Sequence, residues 1–210
     1  MKHILLRIQS QWILYNGYKD KGDRIMKKSE IQLTRIVFGA VLAALVFVVT
    51  LFRFPLLGSK VHFANAVCLL SGLLLGPVWG GTAAGLGSAL YDLSFYNEGI
   101  INLLITFVSK FAMAWVCGII AGKRNEKAQP VIRVVLACVA GALTYVALYM
   151  LKSAIYGAIA GNAWAAVASK FPASIINAGA AIVAAPIFYH AVVPALKAGG
   201  ILKKLDAAAK

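Results

Sequence analysis

Acidic residues are scarce in this sequence. Of 210 residues only 7 are Asp or Glu, against 21 Lys or Arg. So few carboxylates leave little for metal-assisted hydrolysis, and no two of them share an apolar run. HExxH and the Walker A lysine loop are both missing. Gly85-x-Gly87 has no strand before it, which rejects a dinucleotide fingerprint. The three cysteines, Cys68, Cys117 and Cys138, form no CxxC pair and have no His or carboxylate at ligand spacing. They read as small buried hydrophobes. Neither a cofactor nor a metal is expected, and no catalytic residue is assigned.

Charge of either sign is also sparse. Charged residues make up 13% of the chain and hydrophobic ones 61%, with a mean hydropathy of +0.81. Soluble domains sit near half apolar and about a quarter charged. A soluble protein of this size could not bury so much apolar surface, so the remainder requires lipid. The net charge of +14 raises the question of nucleic acid. The distribution answers it, because basic residues fall between the apolar runs and at the two ends. Juxtamembrane Lys and Arg set orientation and meet anionic lipid headgroups. No nucleic-acid partner is expected.

A membrane span needs about 20 apolar residues to cross about 30 Å of hydrocarbon. Residues 34–52 supply the first, ended by Arg53 and Pro55. The block 64–95 is too long for one span and is interrupted by Gly76-Pro77, a turn signal. It reads as two short helices, 64–77 and 79–95, joined tightly, with one long kinked helix as the alternative. Residues 101–122 form a fourth span and 131–151 a fifth. The stretch 152–170, small-residue-rich and holding Tyr156, Asn162 and Trp164, reads as a re-entrant or loop segment. Residues 172–193 form the sixth span.

The fold class is therefore an all-α membrane protein with six transmembrane helices, occupying residues 34–193. A basic segment, 1–33, precedes it, and a basic tail, 194–210, follows. Residues 1–25 read as a cytoplasmic tail or as a start assigned upstream of Met26. Basic residues number eight through Arg35, four in 123–133 and four in the tail. With six spans these rich segments share one side, and the positive-inside rule places both termini in the cytoplasm.

Within the spans, polar residues are expensive and need partners. Lys110 lies about 12 Å into the fourth span at 1.5 Å per residue, and Asp92 lies near the outer end of the third. One reading is a structural ion pair between them, in a scaffold or assembly membrane protein. The other is a polar cavity that both line, in the outer half of the protein. His62, Asn65, Asn102 and Asn177 favour the cavity, and Tyr145, Tyr149 and Trp164 offer aromatic faces for a small planar solute. His62 and Trp164 also suit interface anchoring, and Asn177 suits bridging between helices. Ser88 or Ser109 with His62 leaves an intramembrane enzyme as a third alternative. Small-xxx-small patterns occur at Ala40/Ala44 and Gly81/Gly85; the glycines suit packing within the chain and the alanines suit a partner.

The stretch from His62 to Leu93, HFANAVCLLSGLLLGPVWGGTAAGLGSALYDL, resembles the substrate-binding S components of energy-coupling factor (ECF) vitamin transporters. It is most similar to the riboflavin-type branch, which also holds members for pyridoxine and hydroxymethylpyrimidine. The LLLGP turn, the GLGSALYDL helix, Lys110, and Pro172 with Asn177 carry the resemblance. Relatives often have Asn where this chain has Ser174, and an acid where it has Asn65. The resemblance implies a six-helix ECF S-component-like bundle that binds a vitamin-like solute near the outer face. It implies a pocket covered by the loop 54–61. It also implies docking through Ala40 and Ala44 onto a membrane coupling subunit with two cytoplasmic ATPases.

Overall fold

The computed structural model describes residues 28–56, 59–95, 99–123 and 127–208; the segment 1–25 lies outside these. Helix α1 runs Lys28–Leu51. A two-stranded antiparallel hairpin follows, β1 (Arg53–Leu56) and β2 (Ser59–His62), with Arg53 opposite His62 and Leu56 opposite Ser59. Then come α2 (Ala64–Leu75), α3 (Pro77–Phe95), α4 (Ile100–Ala121), α5 (Val131–Ile159), α6 (Ala163–Ala198) and the short α7 (Ile201–Ala208). Four helices, α1, α4, α5 and α6, are long and apolar enough to cross a membrane. Helix α2, at 12 residues, rises only about 18 Å at 1.5 Å per residue.

The break at Gly76-Pro77 makes two helices, as the turn signal predicts. Gly76 takes φ +78°, a conformation that side chains with a Cβ rarely adopt. Pro77 then opens α3, where its missing N–H costs nothing. Ser71 Oγ lies 2.7 Å from Cys68 O and 2.8 Å from Gly80 O, clasping α2 to α3.

Small residues set the spacing between helices, since lipid gives helices no hydrophobic reason to associate. A Cβ on Gly81 or Gly85 would meet the rings of Phe111 and Phe107 at 2.9 Å. The Gly81/Gly85 stripe therefore packs within the chain, α3 against α4. On α4, a Cβ at Gly118 would lie 2.6 Å from Pro77 N, so the α2–α3 turn rests directly on that helix. All three cysteines are free and buried.

The region expected to be a re-entrant or loop segment, 152–170, is helical except at a three-residue turn. Helix α5 continues to Ile159 and α6 begins at Ala163. Ala and Ile are frequent at the end of α5 and Ala at the start of α6, and the break is set by Gly161 at φ +82° with Asn162 capping Ala165 N at 3.1 Å. Pro172 does not begin the last span; it lies inside α6 with Pro186 and Pro194. Membrane helices accommodate such prolines because neighbouring groups satisfy the freed carbonyls.

The basic tail also proves to be structured. Helix α6 runs to Ala198, and α7 buries Leu202 and Leu205 in the core while exposing Lys203 and Lys204. Lys204 approaches Glu30 of α1 at 3.6 Å, an exposed pair contributing at most about 1 kcal/mol. The α4–α5 connection is held at the same end of the bundle. There Gln129 N donates to Tyr189 Oη at 3.1 Å, and Arg133 Nε donates to Ile120 O at 3.1 Å. One end of the bundle thus carries the hairpin and the α5–α6 turn. The other carries the α2–α3 turn, the α4–α5 connection and α7.

Candidate functional site

The close contacts between helices fix which residues share a level. Gly81 meets Phe111 and Gly85 meets Phe107, so α3 and α4 run antiparallel in that register. Gly72 meets Ala114 and Gly118 meets Gly76, so α2 and α4 run parallel. Gly141 meets Met113, and Gly157 meets Ala163 and Ala166, which aligns α5 with α4 and with α6. On these registers Lys110, Tyr145 and Asn177 stand at one height. Side chains in a helix point back towards its N-terminus, so the long Lys110 chain reaches one turn further towards the hairpin end. That brings it to Asn65, the second residue of α2.

The contacts agree. Lys110 Nζ donates to Asn65 Oδ1 and sits 3.9 Å from the centroid of the Tyr145 ring. Tyr145 and Tyr149 stack one turn apart, at 5.9 Å and 16°. Asn177 Oδ1 accepts from the backbone N–H of His62 at 2.9 Å, which ties the end of β2 to α6. Lys110, Asn65 and Asn177 are only 5%, 1% and 7% exposed. Six of the eight sequence-predicted binding residues, His62, Asn65, Lys110, Tyr145, Tyr149 and Asn177, therefore gather from β2, α2, α4, α5 and α6.

Asp92 and Trp164 do not join them. In the α3–α4 register Asp92 stands level with Ile100, ten residues and about 15 Å above Lys110. Among the described residues no ion pair links the two, and the ammonium goes to Asn65 instead. The structural ion-pair reading fails on that register. Trp164 is 82% exposed at the second position of α6, a placement that suits an aromatic interface anchor. Lys110 itself lies at the middle of the 22-residue α4, deeper than the outer half expected of it. Ser88 is buried beside Cys68, with Oγ and Sγ 4.0 Å apart.

Helix α2 explains why a polar cluster can sit so deep. It starts at Ala64, while α4 continues beyond that level for about six residues and α5 and α6 for about eleven, or about 9–17 Å. The hairpin fills the chain's path there, contacting α6 through β2. The loop expected to cover a pocket is thus a β-hairpin, which the apolar pattern alone does not reveal. Pro55 within β1 tells against a central strand and fits a two-stranded edge.

The family model of the ECF-type riboflavin transporter S component matches residues 30–194. The chain belongs to this family. It is an S component, the membrane-embedded substrate-binding subunit of an ECF transporter, and the family is one of transporters rather than of enzymes. No curated protein matches it. A solved structure described as the S component of a bacterial ECF transporter is similar in fold, with a TM-score of 0.57 at 19% identity. The match covers 79% of this chain and 98% of that one. In this S component, Ala40 and Ala44 lie exposed on α1, one turn apart on the side away from the buried Leu42, Ala43 and Val46.

Proposed function

We propose that this S component binds a planar, vitamin-like solute between the hairpin and the level of Lys110, for uptake driven by a partner ECF module. The observation that carries the reading is the meeting of Asn65, Lys110, Tyr145 and Asn177 at the start of a half-length helix. A buried ammonium deep in the bundle is costly unless it serves a polar ligand. Stacked tyrosines beside it supply the apolar wall that such a site needs. Residues 34–193 form the binding domain in this reading. His62, through its backbone contact with Asn177, links the hairpin to the floor of the site.

The module consists of a membrane coupling subunit and two cytoplasmic ATPases, with Ala40 and Ala44 as the docking stripe. Lys28, Lys123, Lys127, Lys197, Lys203 and Lys204 cluster at the end opposite the hairpin. Their bias supports placing that end, with both termini, in the cytoplasm and the hairpin outside.

The His62–Asn177 link gives a direct test. A hydrogen bond to a buried group, once lost, costs about 1–3 kcal/mol, so Asn177→Ala should release bound solute about tenfold faster. Stopped-flow chase of solute from the detergent-purified chain measures this. An unchanged release rate would remove Asn177 and the hairpin from the site. A vitamin panel that produces no thermal shift in the unmodified chain would favour a scaffold role over solute binding.

A further inference from the structure

The geometry points to a solute that bears an anionic oxygen group on a planar ring, with that group held against Lys110 and Asn65. This deepens the proposed function and rests on it. Its starting point is an imbalance of donors. An ammonium has three N–H donors and no acceptor. Lys110 gives one hydrogen bond, to Asn65 Oδ1, and otherwise faces the Tyr145 ring and the neighbouring Cys68 side chain, neither of which carries a negative charge to balance it. Among the described residues it has no carboxylate within ion-pair distance.

Asn65 adds a second unused donor. Its oxygen is turned to the ammonium, because the amide nitrogen could not face that group. Its Nδ2 is buried and has no hydrogen-bond partner among the described residues. A buried donor without a partner is rare in a folded protein and calls for an explanation. Here both donors belong to the two residues of one contact, each 5% exposed or less. Acceptors on the solute satisfy both at once, and a negative charge neutralises the lysine. A ring carboxylate is the simplest group that does so, one oxygen for each donor. The near-parallel Tyr145 and Tyr149 rings stand beside it, suited to the plane of an aromatic acid.

A neutral isostere is a poorer complement. An amide in place of the carboxylate turns an N–H towards donors and leaves the ammonium without a counter-charge. The site should therefore prefer the acid of a matched pair by at least about tenfold.

The test uses the full chain in detergent, with affinities from calorimetry. The probes are pyridine-3-carboxylate against pyridine-3-carboxamide, and 4-pyridoxate against pyridoxine, with riboflavin as an uncharged planar reference. Native mass spectrometry identifies any solute that co-purifies. Tighter binding of the acids, lost in Lys110→Met and kept in Lys110→Arg, is the expected result. Equal or tighter binding of the uncharged members, or binding of riboflavin alone, overturns the anionic assignment and leaves solute binding intact. Where no probe binds, the charge of the co-purified solute decides: an acid supports the inference and a neutral compound overturns it. A chain that binds no probe and carries no solute contradicts the proposed function itself, and the inference falls with it.

Discussion

Replacing Lys110 with Met is expected to weaken solute binding about 100-fold, equivalent to about 2.7 kcal/mol, while leaving the empty protein about as stable as before. Two effects on the empty protein oppose each other. Removing the ammonium relieves the cost of a buried charge with no carboxylate beside it among the described residues, and the Met side chain keeps much of the volume. Against that, Asn65 Oδ1 loses its donor, at a cost of about 1–3 kcal/mol. The two are of similar size, so the melting temperature should move little. Binding has no such compensation, because the solute loses the group that reads it. Calorimetry paired with thermal unfolding separates the outcomes. A large fall in melting temperature with solute affinity unchanged would make Lys110 structural after all.

The second large effect concerns transport rather than binding. Ala40 and Ala44 are exposed, one turn apart, on a helix whose opposite face packs against α3. Gly87 meets Ala43 there, and Phe47 meets Tyr91 at 6.1 Å. Small residues on a lipid-facing stripe allow another helix to approach closely. Enlarging both to Leu should disturb nothing inside the chain, since neither side chain points into it. Solute affinity should stay within about twofold, whereas uptake with the complete ECF module should fall by more than about tenfold, the equivalent of about 1.4 kcal/mol lost at the interface. Uptake into proteoliposomes, with binding measured on the same preparation, checks this. Undiminished uptake would move the docking surface elsewhere on the S component.

Much of the fold is legible in the residue order for physical reasons that are easily named. Hydrocarbon imposes long apolar runs, and Gly76-Pro77 permits only a turn, so the helices fall close to where the runs do. The segment 152–170 reads differently because Lys152, Lys170 and Pro172 resemble boundaries. In the structure Lys152 lies 5.7 Å from the Tyr156 ring on the same helix, and Pro172 is carried inside α6. The true boundary, Gly161-Asn162, combines a left-handed glycine with a capping side chain.

The candidate site is legible in its residue types and less so in its partnerships. Polar residues inside apolar runs single out Asn65, Lys110 and Asn177, because each must be paid for by a contact. Which contact depends on the register between helices, and a single chain's spacing does not contain it. Asp92 and Lys110 look like natural partners by charge. The glycine contacts between α3 and α4 set them about 15 Å apart along the helices. Trp164 looks like a stacking face and proves to be an exposed residue at a helix start. The deep start of α2, which leaves room for a site at all, follows from the hairpin, whose four-residue strands carry too little pattern to stand out.

Native mass spectrometry of the purified chain with a vitamin panel reads solute binding by this S component without any partner subunit. A single solute bound one to one is expected, retained by the unmodified protein, largely lost in Lys110→Met and reduced to a lesser degree in Asn177→Ala. A chain that binds nothing from the panel and carries nothing from the cell, or an adduct held equally by both variants, would contradict it.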